Sequence, residues 1–256
     1  MTPQRIAIIT AVSREQEQLR SRLGAAPLTC RGGMTLYHAH YHGNELYLVE
    51  GGVGKANAAA ATAMAVERFA PSLIINTGCC GAYCASTIPV GSVCLATAEH
   101  FGDEGCLAPQ GQLSLEEISL PLAHKSTGEP VYNTIPMDER LLLLIQNCAQ
   151  NVRTPILQGS FVTVSNCSGM QLVGDALHER YQAIAESMEG AAVALTALRY
   201  AIPFVEIRGV SNLVEDRDFS QWRINDAVSV AQTFVQLLLG YSGLQDWLAQ
   251  ASTKER

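Results

Sequence analysis

Short apolar runs alternate with helical patterns along most of the chain. Residues 5–10 are almost continuously apolar, as expected for a strand that is buried on both faces of a sheet. Residues 55–69 are rich in alanine and predict a long helix, and residues 73–76 predict another buried strand, ended by Thr77 and Gly78. This alternation predicts an α/β fold, in which a three-layer sandwich surrounds a central mixed, mainly parallel sheet.

The same patterns predict the remaining elements. Ser13 and Gln16 have the spacing of a capping box and predict the start of the first helix. Residues 102–136 are rich in glycine, proline and polar side chains, which predicts a long excursion near the ligand site. The tail after Trp247 is expected to be dispensable. The other predicted strands cover residues 34–40, 45–49, 90–98, 160–164 and 204–207, and the other predicted helices cover residues 138–149, 171–181, 189–200 and 225–240.

Composition narrows the class of protein. The 256 residues can form one large domain, which we expect to span residues 1–256 with a core at about residues 5–240. Hydrophobic residues make up 48% and charged residues 16%, as in globular proteins, and the net charge of −7 argues against a nucleic-acid partner. The sequence has no signal-peptide pattern and no apolar run of membrane-spanning length, so a cytoplasmic protein with no membrane contact is expected.

The cysteines and histidines predict neither a metal site nor a bound cofactor. None of the eight cysteines belongs to a C-x-x-C pair, and several lie in apolar runs, so buried reduced thiols are expected. His38, His40 and His42 alternate and would share one face of a strand. Because we expect no carboxylate or cysteine partner beside them, we interpret this segment as an exposed strand face.

Glu15 is the first candidate for chemistry. It lies in the first turn of the predicted first helix, just beyond the end of the first strand. The positive end of the helix dipole stabilises an acid at such a position, and many of these acids are only surface groups. The same dipole would keep Glu15 ionised as a base for water, and both interpretations stay open on position alone.

Residues 51–55 contain three glycines and Lys55 and are similar to a phosphate loop. The Walker pattern fails because Ala56 replaces the Ser or Thr that binds Mg²⁺. The dinucleotide pattern fails because Asn57 stands where a glycine is required. The segment therefore predicts a tight turn into a helix beside a ligand, and an oxidoreductase that uses a dinucleotide is disfavoured.

Gly78 and Cys79 follow the second buried strand, residues 73–76, in a glycine-rich segment. Backbone of this kind can approach a flat ligand closely and offer it N–H and C=O groups. An ordinary turn from a strand into a helix would have the same sequence.

Glu189 and Asn212 are the strongest pair of candidates. Glu189 opens an alanine-rich helix beside the apolar Met188, and its carboxylate suits two vicinal hydroxyls of a ribose. Ser211 and Asn212 belong to a polar cluster that follows the apolar run 202–207. Ligands of open α/β sheets bind beyond the carboxyl ends of the strands, so Glu189 and Asn212 are expected to face one crevice. Alone, Asn212 would be read as a turn residue.

Several segments together carry a family resemblance. They are Ile8-Ile9-Thr10-Ala11 with Glu15, Gly52-Val53-Gly54-Lys55, Asn76-Thr77-Gly78, Ser187-Met188-Glu189 and Ser211-Asn212. Their order resembles that of the superfamily of nucleoside phosphorylases and methylthioadenosine nucleosidases, over about residues 5–240. Within it, the chain is most similar to the futalosine hydrolases of the alternative menaquinone pathway, on residues 98–105 and 210–218.

The resemblance implies an N-ribosyl hydrolase that releases hypoxanthine from futalosine. It implies that Glu15 activates the attacking water, Glu189 holds the ribose hydroxyls and Asn212 contacts the base. Breaking the ribosyl C–N bond passes through an oxocarbenium-like state, as in glycoside hydrolysis. Other residues expected at the substrate are Met188, Gly78, Cys79 and Ser211. A small nucleoside is the expected partner, and relatives of this kind are commonly homodimers or larger oligomers.

The chain also departs from its relatives. Relatives that donate a proton to N7 of the base use Asp where this chain has Asn212, and they place an aromatic residue where this chain has Ser165-Asn166-Cys167. Phe161 is therefore the candidate to stack on the base. Arg217 and Arg223 are candidates for the benzoate of futalosine.

Other functions stay open at this point. The first is a nucleosidase for methylthioadenosine, S-adenosylhomocysteine or aminodeoxyfutalosine. A purine nucleoside phosphorylase is disfavoured because residues 76–82 hold no arginine for phosphate, although Arg14 is near the first turn. A non-catalytic purine-binding protein is disfavoured because both Glu15 and Glu189 are present.

Overall fold

The computed structural model describes residues 3–30, 32–216 and 218–254. The strands are β1 (Arg5–Thr10), β2 (Ala26–Leu28), β3 (Thr35–Tyr41), β4 (Asn44–Glu50), β5 (Leu73–Tyr83), β6 (Val93–Phe101), β7 (Cys106–Ala108), β8 (Gly111–Leu113), β9 (Ala123–His124), β10 (Pro130–Val131), β11 (Thr134–Pro136), β12 (Ile156–Thr163), β13 (Ala183–Ser187) and β14 (Phe204–Val214). The helices are α1 (Glu17–Arg22), α2 (Lys55–Phe69), α3 (Glu139–Asn151), α4 (Gln171–Tyr181), α5 (Gly190–Arg199), α6 (Ile224–Gly240) and α7 (Ser242–Lys254). Short 3₁₀ turns lie at Ser13–Glu15, Cys84–Ser86 and Phe219–Gln221.

Ten strands form one large sheet. Its order is β11-β6-β12-β13-β5-β1-β4-β3-β2, and β14 pairs with both β5 and β6. Strands β5, β13, β12, β6 and β14 therefore close into a ring of five. The predicted α/β fold with a mixed sheet is confirmed. Among the described pairings of this sheet five are parallel and five antiparallel, in place of the predicted parallel majority.

The apolar run of β1 is explained by packing on both sides of the sheet. Ala7 and Ile9 belong to a hydrophobic cluster that includes side chains of α2 and α5. Ile6 and Ile8 belong to a second cluster that includes side chains of α1, α3, α6 and α7. Successive side chains of a strand point to opposite faces, so every residue in the middle of β1 is buried.

Two strands continue beyond their predicted ends. The backbone after Thr77 stays in β5 because β14 pairs with it as far as Tyr83. Strand β14 likewise continues to Val214, with a register shift between Val210 and Asn212. Gly78 and Cys79 are therefore strand residues rather than part of a turn into a helix, and Asn212 lies inside a strand.

Both ends of the chain differ from the sequence prediction. Ser13 lies in the 3₁₀ turn Ser13–Glu15 and is not the cap of a helix, since α1 begins only at Glu17. The expectation of a dispensable tail after Trp247 is wrong, because Leu248 is completely buried in the second hydrophobic cluster.

Two further expectations concern membranes and cysteines. No single described helix is long and apolar enough to span a membrane. Among the described helices, α6 and α7 together have the length and composition, but they are bent by 62° relative to each other. All eight cysteines are free thiols, and Cys80, Cys94 and Cys148 are buried.

Candidate active site

Glu15 is held at the carboxyl end of β1 by three backbone N–H groups. Its Oε2 accepts hydrogen bonds from the amides of Ala11 at 2.9 Å and Val12 at 3.3 Å, and its Oε1 accepts one from Cys79 at 3.1 Å. The side chain is only 4% exposed, so it is not the surface acid that position alone allowed. Burial raises the pKa of Glu15, and Arg208 offsets part of that rise. A fixed carboxylate with a raised pKa is suited to accept a proton from water.

Gly78 allows the carboxylate of Glu15 to lie against β5. A methyl group at Gly78 would overlap Oε1 of Glu15 and would lie 2.9 Å from Nη1 of Arg208. The next residue, Cys79, donates its backbone N–H to Glu15, and its backbone carbonyl accepts from Nη1 of Arg208 at 2.9 Å. Burial raises the pKa of the Cys79 thiol to about 12, which keeps it neutral. The structure thus brings the predicted Gly78 and Cys79 into contact with Glu15.

Glu189 is the N-cap residue of α5 and is 5% exposed. Its Oε1 accepts the backbone N–H of Gly54 at 3.0 Å, and its Oε2 accepts from Nη2 of Arg208 at 3.2 Å. The glycine turn before α2 therefore supports this carboxylate. Met188, the adjacent predicted residue, is half-buried beside it.

Arg208 was not predicted as a site residue. It donates a hydrogen bond to Glu189 and another to the carbonyl of Cys79, whose N–H donates to Glu15. It is 2% exposed in β14, and its Nε donates to Oε1 of Glu206 at 2.5 Å. Burial disfavours the charged form, but Glu206, Glu189 and Glu15 raise the pKa of Arg208 well above its ordinary value. The signal was present in the sequence, because Glu206 and Arg208 alternate within an otherwise apolar strand and must share one face.

Asn212 and Ser211 lie farther along β14. Oδ1 of Asn212 accepts from the hydroxyl of Ser211 at 2.8 Å, and its Nδ2 donates to the carbonyl of Leu213 at 2.9 Å. The carbonyl of Leu213 can only accept, so it determines which end of the amide carries the NH₂ group. One N–H and one lone pair of Asn212 remain for a ligand.

Asn212 lines a cavity of about 270 Å³. Arg223 lines the same cavity, and its guanidinium pairs with Asp226 at 2.7 Å. Ser168 also lines it and is anchored through its N–H and hydroxyl, at 2.7 and 2.6 Å, to the carboxylate of Glu186. Two predicted residues, Asn212 and Arg223, are therefore brought together. Arg217 lies outside the described residues.

Phe161 does not have the predicted position. It is completely buried in β12 and belongs to the first hydrophobic cluster. No face of its ring is open to a base, so the prediction that it stacks on the base is wrong. The reason is its place in the middle of a buried strand rather than at its end.

A separate group of potential ligands lies on β3 and β4. Ligand atoms of His38, His40 and Glu45 lie within 4.8 Å of one another. Glu45 is the carboxylate that the sequence analysis did not place near these histidines. Its Oε2 already accepts from Arg5 at 3.2 Å and from the hydroxyl of Tyr47 at 3.0 Å.

Comparisons with known proteins identify the family of the chain. The family model of the phosphorylase superfamily matches residues 5–240. A futalosine hydrolase from Acidothermus cellulolyticus is 32% identical over 250 residues, which cover 97% of this chain and 95% of the relative. A 5'-methylthioadenosine/S-adenosylhomocysteine nucleosidase from Lysinibacillus sphaericus is 31% identical over 217 residues, which cover 82% of this chain and 86% of the relative.

Solved structures have the same fold. The S-adenosylhomocysteine nucleosidase from Streptococcus pyogenes, in complex with 5-methylthiotubericidin, aligns with a TM-score of 0.79 at 26% identity. That alignment covers 94% of this chain and 98% of the solved one. The futalosine hydrolase from Helicobacter pylori aligns with a TM-score of 0.79 at 17% identity, covering 92% and 97% of the two chains.

Proposed function

The chain belongs to the phosphorylase superfamily, and we propose that it hydrolyses futalosine to hypoxanthine and dehypoxanthine futalosine, a step of menaquinone biosynthesis. Its relatives are named as nucleosidases and a futalosine hydrolase, and the chain is an N-glycosyl hydrolase of this family. The choice of futalosine among nucleosides is our inference from the residues of the site.

The orientation of Asn212 carries this choice. A departing 6-oxopurine protonated at N7 presents an N7–H donor beside an O6 acceptor. The free lone pair on Oδ1 and the free N–H on Nδ2 of Asn212 complement that edge. A 6-aminopurine presents a donor at N6 and gains a proton at N7 more readily from an acid, which Asn212 is not.

The two buried glutamates supply the reaction chemistry in this proposal. Glu15 takes a proton from the attacking water as the C–N bond breaks and the ribose becomes oxocarbenium-like. Each carboxylate oxygen of Glu189 has one protein partner, which leaves lone pairs for the two ribose hydroxyls. A negative charge at this position also stabilises the developing positive charge of the ribose.

Hydrolysis fits the charges of the site better than phosphorolysis. Among the described hydrogen bonds of the Glu15 and Glu189 carboxylates, Arg208 is the only cationic donor, and it donates to Glu189. Its nitrogens are engaged by Glu206, Glu189 and the carbonyl of Cys79. Phosphate binding needs cationic donors that are free to form forked hydrogen bonds, and three of the five N–H groups of this guanidinium already have acceptors in the protein.

We place the benzoate of futalosine near Arg223. This exposed arginine lines the cavity of Asn212, together with the aromatic Trp222. A cation and an aromatic wall in one cavity suit a benzoate, which would compete with Asp226 for the guanidinium of Arg223.

The second candidate function is hydrolysis of methylthioadenosine or S-adenosylhomocysteine. It is favoured by the names of several relatives, which are nucleosidases for these two compounds. Aminodeoxyfutalosine would be a further 6-aminopurine substrate of the same kind.

A panel of nucleosides tests both candidates. The full chain is incubated with futalosine, aminodeoxyfutalosine, methylthioadenosine and inosine, with and without inorganic phosphate, and the released bases are separated by chromatography. We expect hypoxanthine from futalosine at the highest kcat/KM, with no requirement for phosphate. Faster release of adenine from methylthioadenosine would support the second candidate, and formation of a sugar 1-phosphate would indicate a phosphorylase.

A further inference from the structure

A second pair of acids lies next to Arg208, on two paired strands of the ring of five, and both reach the start of α5. Glu99 of β6 and Glu206 of β14 are both completely buried. Neither Oε1 of Glu99 nor Oε2 of Glu206 has a hydrogen-bond donor among the described residues. Both oxygens point at Gly190, where a methyl group would lie 2.6 Å from Oε1 of Glu99 and would overlap Oε2 of Glu206. The two carboxyl groups therefore face each other.

One shared proton explains this arrangement. Two adjacent, completely buried carboxylates cannot both carry a charge at low cost, so one of them stays protonated. Burial and Glu206 raise the pKa of Glu99 well above its ordinary value. The hydroxyl of Thr163 donates to Oε2 of Glu99 at 2.8 Å, so the proton belongs on Oε1, which faces Glu206. With the proton there, Oε1 of Glu99 donates a hydrogen bond to Oε2 of Glu206, so both oxygens have a partner.

Glu206 in turn competes with Glu189 for one guanidinium. The Nε of Arg208 lies 2.5 Å from Oε1 of Glu206, whereas its Nη2 lies 3.2 Å from Oε2 of Glu189. The charge of Arg208 is therefore shared, and the closer partner is the acid that lies farther from the ligand. Glu189 keeps more negative charge than it would in an ion pair with Arg208 alone.

We propose that Glu99 and Glu206 are positioning residues for the nucleosidase reaction, which hold Arg208 through a proton-sharing carboxyl pair and keep Glu189 available to the ribose. Neither residue touches the substrate. The inference rests on the proposed function, because Glu189 must be the ribose ligand for the pair to act through it.

The test compares Glu206→Gln with Glu99→Gln. Glu206→Gln removes the charge that competes for Arg208, so we expect kcat for futalosine to fall on the order of 10- to 100-fold, with a small change in KM. The preference for futalosine over its 2′-deoxy analogue should fall with it, since Glu189 then binds the hydroxyls less well. Glu99→Gln should cost at most about threefold and keep that preference, because a neutral amide N–H replaces the acid O–H.

Three controls separate positioning from damage to the fold. Glu206→Asp keeps the charge and should recover part of the lost discrimination between ribose and 2′-deoxyribose. Glu67→Gln is the same isosteric change at an exposed site of α2 and should alter neither quantity. Circular dichroism and the Tm of each variant report whether it folds, and Glu99→Gln remains informative if Glu206→Gln does not.

The outcomes are distinct. The inference is overturned if folded Glu206→Gln keeps the wild-type preference for the 2′-hydroxyl, or if Glu99→Gln loses that preference. Failure of the proposed function looks different, because the unmodified protein would then release no base from futalosine.

Discussion

At the scale of single residues, Glu15 has the properties of a base whose protonation is set by its surroundings. Three backbone N–H groups fix the carboxylate, and burial raises its pKa while Arg208 opposes that rise. The raised pKa means that protonation begins at a higher pH than for an ordinary glutamate. We therefore expect this residue to determine the acid limb of the pH dependence of the reaction.

The first prediction is that Glu15→Gln folds and binds substrate but loses about 10² to 10⁴ in kcat, the usual contribution of a positioned base. In the wild type, kcat/KM should fall as the pH is lowered through the raised pKa of Glu15, because only the ionised carboxylate accepts a proton. The variant should lack that limb. Steady-state kinetics across the acid range measure both effects, and near-normal turnover by Glu15→Gln would remove this residue from the mechanism.

The second prediction concerns recognition of the purine by Asn212. Asn212→Asp should move the preference from 6-oxopurine toward 6-aminopurine nucleosides by about 1–3 kcal/mol, the scale of one mismatched buried hydrogen bond. A protonated Asp can deliver a proton to N7, which the amide cannot do. The measurement is kcat/KM for futalosine and aminodeoxyfutalosine with both proteins. A wild-type enzyme that already prefers the 6-amino substrate would contradict this account of Asn212.

At the scale of elements, the helices were the most predictable part. The bounds of α2 and α4 agree with the sequence prediction, because an apolar stripe with helical spacing is a local property. The ends of β5 and β14 were predicted too early. Thr77 and Gly78 resemble a strand end, but strand length depends on the partner strands, and those partners come from distant parts of the chain.

The site shows the same division between local and distant information. Glu15 and Glu189 became candidates because each lies at the start of a predicted helix that follows a strand, and the family resemblance then gave each of them a role. Arg208, Glu99 and Glu206 were not given roles, although all three are buried at its centre. Charged side chains inside strands are expected at surfaces, and only closure of the five-stranded ring places these three together.

The third prediction tests the close packing of β5 against Glu15. Gly78→Ala should lower kcat on the order of 10²-fold, because its methyl group would displace the carboxylate or the guanidinium of Arg208. Gly240→Ala is the matched control, since its nearest contact would be an ordinary 3.4 Å from the ring of His42. Thermal unfolding checks that both variants fold. Full activity of Gly78→Ala would show that the position of Glu15 tolerates displacement.

At the scale of the whole molecule, the candidate site depends on both halves of the chain. Glu15 and Cys79 come from the first eighty residues, whereas Glu189 and Arg208 come from the last seventy. Two of the described hydrogen bonds join these parts: Arg208 donates to the carbonyl of Cys79, and the backbone N–H of Gly54 donates to Glu189. Several apolar side chains are exposed to solvent in segments near these groups or near the cavity of Asn212. Val12 and Val53 lie on or next to backbone that contacts Glu15 and Glu189, whereas Met170 and Leu172 lie at the start of α4, two and four residues after Ser168.

The last prediction is that a second copy of the chain covers this apolar surface. The backbone N–H of Val12 donates to Glu15, and Val53 precedes Gly54, whose N–H donates to Glu189. Leu172 is 79% exposed at the start of α4. Exposed apolar side chains of this kind, in a protein with a net negative charge, favour an isologous contact between two copies. Such a contact buries about 800 Å² of surface on each partner.

Light scattering at assay concentration should give about 55 kDa, twice the 27.5 kDa of one chain. The double change Met170→Lys and Leu172→Lys should reduce that mass and the activity together, whereas Leu143→Lys on α3, 57% exposed in the wild type, should change neither. A wild-type protein that is monomeric and fully active would contradict the prediction, because the site would then need no second copy over these apolar side chains.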